Sequence, residues 1–340
     1  MKILSVVIPF YNSVDTLEKA AMSCLDPRII DDIEVVMVND GSKDDSLKLA
    51  KDIEKRYPNS VKVIDKPNGG KGSCMNAGIK VASGKYVREL DSDDYFNDGS
   101  ICELISEVKH NNIDVDVIYT NFLFVYLASA TEKVNRNTEI VYGKVINLNR
   151  IQLPSLIYQN YQMHSLTYKT EFLHNINFIQ TEGISYTDTE YIYYPLTVAN
   201  SLYAIDLELY CYCIGVAGQS ISPQSMQKKW NHFWILSEKF MKDSAYKTGN
   251  TSALQIRRNV VGSVIRSVVE IYAEMSQYNS DQEKKIRGML NEVKKTDAEL
   301  FKSAMYLERR RFMYPLMMWY YLGRGHFVIR SLKTAVRKAL

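Results

Sequence analysis

Residues 89–100 read ELDSDDYFNDGS and place Asp91, Asp93 and Asp94 within four positions, directly after an apolar run. Carboxylates that close repel one another unless a cation or a set of donors is supplied. The chemistry such a cluster offers is ligation of a hard divalent ion through oxygen; the alternative use is an Asx-rich turn that caps its own backbone. Three other polar stretches also follow apolar runs: PFYNS (9–13), NDGSKDD (39–45) and KPNGGKGS (66–73). Further on, GISYTDTEYIYYPL (183–196) adds two carboxylates, Asp188 and Glu190, at what reads as a helix start.

The elements that must position these loops are short. LSVVIPF (4–10), IEVVMVND (33–40), VKVID (61–65) and KYVRELD (85–91) read as strands, being apolar, β-branched and closed by turn residues. Between them, helices are expected over about 14–25, over SKDDSLKLAKDIEKRYP (42–58) with a serine cap, and over GSCMNAGIKVAS (72–83). This alternation predicts a mostly parallel sheet with helices on its faces. In such sheets ligands bind outside the carboxyl ends of the strands, which is where the polar loops fall. The nucleotide motifs of two other classes are missing: PFYNSV has no glycine after the first strand, and NGGKGS lacks the P-loop spacing.

Composition limits what else the chain is. Its 340 residues, 46% hydrophobic, suffice for a sizeable core and suggest two units. Five cysteines, Cys24, Cys74, Cys102, Cys211 and Cys213, form no C-x-x-C pair, as expected of a reduced, cytosolic protein. The start MKILSVVIPF does not read as a signal peptide, and no window has the apolar length of a membrane span. The net charge of +3 is unevenly spread: positions 301–340 hold nine Lys/Arg against Glu308 alone, leaving 33 basic and 38 acidic residues before them.

Taken together, SVVIPFYNSVDTLEKAAMSCL, IEVVMVNDGSKDDS, NGGKGSCMNAGIKVASGKYVRELDSDD and EGISYTDTEYI resemble the inverting glycosyltransferases of family 2, in order and in approximate spacing, over about residues 1–222. The resemblance implies the GT-A fold: an α/β sheet flanked by helices, with a donor half (1–100), an acceptor half (101–222) and a helical extension (223–340). It assigns Asp91 and Ser92 to the nucleotide-sugar side of the D-x-D motif and Asp93 to a Mn2+ or Mg2+ ion, which Asp94 is a candidate to share. Pro9, Tyr11 and Asn12 match a position against the base, Asp40 the carboxylate that binds it, usually uracil, and Lys71 a place near base or phosphates or a solvated surface. Asp188 matches the catalytic base. The residue before it is Thr187 where the family often has Glu, which keeps Glu190 as an alternative. His164 is a weaker acceptor-side candidate, with a packed structural histidine as the other reading.

The same resemblance implies a UDP-sugar donor and a saccharide acceptor, lipid-linked in many family members that build bacterial surface polymers. A nucleotidyltransferase of similar fold and a non-catalytic partner subunit are the other classes. Residues 225–300 carry helical periodicity. The stretch RRRFMYPLMMWYYLGRGHFVIRSLKTAVRKAL (309–340) mixes arginines with aromatics, as an anchor lying on the inner face of the cell membrane does. Packing on its own domain or in a homodimer is the alternative use of that tail; nucleic acid is not expected as a partner.

Overall fold

The computed structural model describes residues 2–149, 162–215, 220, 222–243, 251–274, 279–305 and 320. The chain divides into two compact units, Met1–Ala217 and Gly218–Leu340.

In the first unit the strands are β1 (Leu4–Phe10), β2 (Ile33–Asn39), β3 (Val61–Asp65), β4 (Tyr86–Glu89), β5 (Tyr95–Phe96), β6 (Val117–Tyr126), β7 (Thr131–Asn135), β8 (Val145–Asn147), β9 (Leu166–Lys169) and β10 (Ser201–Ile214). The helices are α1 (Leu17–Met22), α2 (Ser46–Arg56), α3 (Gly70–Val81), α4 (Ser100–His110), α5 (Thr170–Asn175) and α6 (Asp188–Val198). The strands form one sheet in the order β3-β2-β1-β4-β9-β6-β10-β5, with β7 on β6 and β8 on β10. It is parallel from β3 through β4 and mixed beyond, where β9 runs antiparallel to both β4 and β6. All seven residues of β1 are buried, which is why its sequence is a continuous apolar run rather than an alternating one.

The four expected strands are present, and the parallel crossovers bring the loops after β1, β2 and β4 to one edge. Two helix starts differ from expectation. Helix α2 begins at Ser46 without a side-chain cap, because Ser42 is used elsewhere: its hydroxyl accepts from the Asn12 N–H at 3.0 Å and its own N–H goes to Asn39 Oδ1. Helix α3 begins at Gly70, since the Asp40 carboxylate accepts the N–H groups of Gly69 and Gly70 at 2.8 and 2.9 Å. A carboxylate from a neighbouring loop thus supplies the cap that glycine lacks.

The second unit, in its described residues, is helical: α7 (Pro223–Lys228), α8 (Trp230–Lys242), α9 (Thr251–Glu274), α10 (Ser280–Thr296) and α11 (Ala298–Met305). Its core includes Trp230, Leu236, Phe240, Val264, Val268, Leu290 and Phe301, and Trp230 Nε1 donates to the Val268 carbonyl at 2.8 Å. Asn279 caps α10, accepting from the N–H groups of Asp281 and Gln282. Apart from Tyr320, the basic aromatic tail lies outside the described residues. Tyr320 bonds to Asn291, accepts from Arg287 at its carbonyl, and packs its ring on Phe301 at 5.2 Å. Among the described residues no helix is long and apolar enough to cross a membrane.

Candidate active site

The aspartates at the end of β4 are held differently from one another. Asp94 is 2% exposed and anchored on β10: the Tyr210 hydroxyl donates to its Oδ2 at 2.6 Å and the Cys213 N–H to its Oδ1 at 2.7 Å. The same phenol accepts the Asp91 N–H at 3.1 Å, so Tyr210 ties both ends of the turn. Burial, with Asp91 and Asp93 adding their charge, pushes the Asp94 carboxyl up to about 8. Asp91 and Asp93 are half-buried. Ser92 shares a hydrogen bond of 2.9 Å with Ser13, linking this turn to the loop after β1.

One carboxylate oxygen from each of Asp91, Asp93 and Asp94 lies within 4.8 Å of the others. Three hard oxygen donors that close, two of them open to solvent, fit a divalent ion such as Mn2+ or Mg2+.

Lys71, in the first turn of α3, reaches into this cluster. Its Nζ is 2.6 Å from Asp91 Oδ1 and 2.6 Å from Glu89 Oε1. Burial alone would lower the ammonium pKa; Asp91, Glu89 and Asp188 together outweigh it and hold it well above the ordinary lysine value. Lys71 is therefore a paired cation of the site rather than a solvated surface lysine.

Asp188 opens α6, after Tyr186 in the left-handed region at φ +68°. Burial raises its carboxyl above the usual carboxylate range, with the nearby Lys71 opposing and Asp91 adding to the shift. The loop before it is locked onto α3. Asn76 Oδ1 accepts the Gln180 N–H at 2.8 Å while its amide donates to the Gln180 carbonyl at 3.0 Å. The Gly183 N–H donates to the Gly69 carbonyl at 2.6 Å. This close approach explains a glycine of the GGKG motif: a Cβ at Gly72 would stand 2.4 Å from the Thr181 carbonyl oxygen. Glu190 serves the same loop, its two oxygens accepting from the Thr181 N–H at 2.7 Å and hydroxyl at 2.8 Å. Of the two acids, Asp188 feels the charges of Lys71 and Asp91, and Glu190 holds the loop.

Asp40, ending β2, accepts from Lys66 Nζ at 3.1 Å as well as from Gly69 and Gly70. The Cys74 thiol bonds to the same carboxylate, so the chain itself supplies Asp40 with several partners. Pro9 is buried in β1, while Tyr11 is 48% exposed beyond its end. Asn12, at φ +50°, ties this loop to the one after β2, accepting the Lys43 N–H at 2.7 Å.

His164 is buried and stacked on Tyr212, with ring centroids 4.3 Å apart. Burial, aided by the charges of Lys71 and Arg88, lowers its pKa to about 3 against the pull of Asp91, so the ring is neutral. Tyr212 belongs to the site by charge: burial and then Asp94, Asp91, Asp93 and Asp188 push its phenol up to about 12. From it an aromatic strip continues through Phe124, 5.9 Å away, to Tyr126.

Sequence reading missed Glu89, Asn76, Tyr210 and Tyr212. Two signals were available: a charged pair, Arg88-Glu89, inside an apolar strand, and the alternation LYCYCI, which puts both tyrosines on one face.

The model of glycosyl transferase family 2 matches residues 5–179, just over half of the chain. The chain belongs to that family. It is 36% identical over 113 residues to the uncharacterized glycosyltransferase EpsJ of Bacillus subtilis, covering 33% of this chain and 32% of EpsJ. It is also 28% identical over 147 residues to the minor teichoic acid biosynthesis protein GgaB of that organism, covering 43% of this chain and 16% of GgaB. Both matches span a third or less of the relative's length. Among solved structures, S. aureus TarS 1–349 in complex with UDP-GlcNAc superposes with a TM-score of 0.63 at 16% identity, covering 100% of this chain and 92% of that one. A Pyrobaculum calidifontis mannosyltransferase in complex with GDP-Man and Mn2+ gives 0.52 at 12% identity, covering 89% and 83%. These likenesses establish the GT-A fold.

Proposed function

We propose that the protein transfers a sugar from a UDP-sugar to a saccharide acceptor, with inversion, in building a bacterial surface glycan. The observation that carries this reading is the Asp91–Asp93–Asp94 cluster with Lys71 paired to Asp91, an ammonium whose charge also acts on Asp188. In this reading Asp91, Asp93 and Asp94 hold Mn2+ or Mg2+, which supplies neutralising charge for the departing diphosphate. Asp188, its basicity raised by burial, takes the proton of the acceptor hydroxyl. The acceptor oxygen forms its bond to the anomeric carbon from the side opposite the nucleotide. The bond from the anomeric carbon to the β-phosphate oxygen breaks, its electron pair leaves with UDP, and the configuration inverts. Asp40, at the end of β2, is the partner of the uracil N–H in this reading, and Tyr11 offers an exposed ring for the base.

The half-buried rings of Tyr212, Phe124 and Tyr126 supply apolar faces of the kind that receive a sugar ring, which supports a saccharide acceptor. Relatives named for teichoic acid biosynthesis and, in Pasteurella multocida, as a hyaluronan synthase support a cell-surface polymer. The basic aromatic residues of 309–340 support work on a lipid-linked acceptor at the cytoplasmic membrane face.

Calorimetric titration of UDP, GDP and dTDP, each with Mn2+ and with chelator, tests the donor half of the reading. Binding selective for UDP and dependent on Mn2+ is expected. If no nucleotide binds under either condition, the transferase reading loses its donor site.

A further inference from the structure

Glu89 ends β4, paired in register with Val7 of β1, and is 0% exposed. Among the described residues its ion pair is with Lys71, whose Nζ stands 2.6 Å from Oε1, and no other side chain is seen to donate to its oxygens. A fully buried carboxylate with a single cation binds that cation strongly, because separating them leaves an uncompensated charge in a low-dielectric place. Lys71 in turn cannot retreat with its backbone. The first turn of α3 is pinned by Asp40 at Gly69 and Gly70, and by the Gly183 N–H on the Gly69 carbonyl. What remains movable is the end of the Lys71 side chain, anchored on Glu89 and resting on Asp91 Oδ1.

We propose that Lys71 is a built-in competitor of the divalent cation for Asp91, and that Glu89 is the positioning residue that keeps it there. The inference rests on the reading of Asp91 and Asp93 as cation ligands. Two cations at contact distance on one carboxylate repel each other strongly. When the divalent ion takes Asp91, the ammonium pivots about Glu89. Its freed N–H donors then face Asp188 or an anionic oxygen of the donor diphosphate. The cation alone is bound weakly, and the cation with the nucleotide is bound well, since the nucleotide supplies the anion that the displaced ammonium needs. The device keeps the acidic cluster compensated between turnovers.

The test is Mn2+ affinity, read from the spin resonance signal of free Mn2+, for the full chain with and without UDP. Two variants are compared with wild type: Glu89→Gln, and the double variant Lys71→Met/Glu89→Gln. The double variant removes both members of the buried pair, leaving no orphaned charge there, and a thermal melt checks that it folds. Without nucleotide it is expected to bind Mn2+ about tenfold more tightly than wild type. Glu89→Gln alone is expected to bind it severalfold more weakly, because the ammonium then leans wholly on Asp91. Opposite shifts from the two variants are not what a merely structural pair would produce. Unchanged or weaker Mn2+ binding by the double variant, with wild type binding Mn2+, overturns the competition and leaves the cation site standing. If none of the three proteins binds Mn2+, even with UDP, the cation reading falls and takes the competition with it.

Discussion

Asp40 and Asp91 both follow parallel strands and both reach the first turn of α3, yet they meet different partners there. Asp40 accepts two backbone N–H groups, at Gly69 and Gly70, and Asp91 accepts an ammonium, Lys71 Nζ. Backbone amides cannot leave without unwinding the helix. An ammonium at the end of four methylenes can swing away at the cost of a few side-chain torsions. The first carboxylate is therefore a fixed part of the scaffold, and the second is a site where one cation can replace another. Equal charge at equivalent places in a fold serves different ends, according to whether α3 meets it with backbone N–H groups or with the end of a side chain.

The largest expected effect lies on the ammonium side. Asp188→Asn should lower sugar transfer by about a thousandfold while UDP and Mn2+ binding stay within about twofold of wild type, since a general base contributes to the transition state and not to donor binding. Transfer assays on purified protein, paired with nucleotide titration, check it; near-wild-type transfer would remove Asp188 from the base role. On the amide side, Asp40→Ala should destabilise the first unit by about 3 kcal/mol, because it uncaps α3 and strips Lys66 of its partner. Urea unfolding measures the loss. If Asp40→Ala keeps its stability and loses only UDP binding, the contrast between a structural and an exchangeable carboxylate is broken.

A smaller effect concerns His164, which borders the ammonium side as a neutral ring. Its folded pKa of about 3 lies below the ordinary 6.5, so between these values the unfolded chain binds the extra proton and stability rises with pH. That contribution is present above pH 6.5 and is lost as pH falls toward 3, amounting to about 2 kcal/mol between pH 6.5 and 5. Urea unfolding at the two pH values, with His164→Asn expected to flatten the difference, checks it. A His164→Asn protein as acid-sensitive as wild type would place the loss elsewhere, among the coupled carboxylates around Lys71.

The order of strands and helices through β4 was legible in the sequence, because buried parallel strands are written as continuous apolar runs and turns as Asp, Asn and Gly. So were the loops that form the candidate site, in which Asp40, Asp91, Asp93 and Asp188 stand. Only the tertiary structure decided their partners. That Asp94 is anchored by Tyr210, 116 residues away, depends on β10 adding beside β6 and pairing with β5. That Glu190 holds Thr181 while Asp188 feels the charge of Lys71 depends on the direction in which α6 leaves a loop clamped by Asn76. Glu89 carried no motif, since its meaning is a buried contact with a lysine eighteen residues earlier on another element. Residue type and spacing set what each side chain can do; packing determines which neighbour it does it with, because burial makes the nearest charge the one that matters.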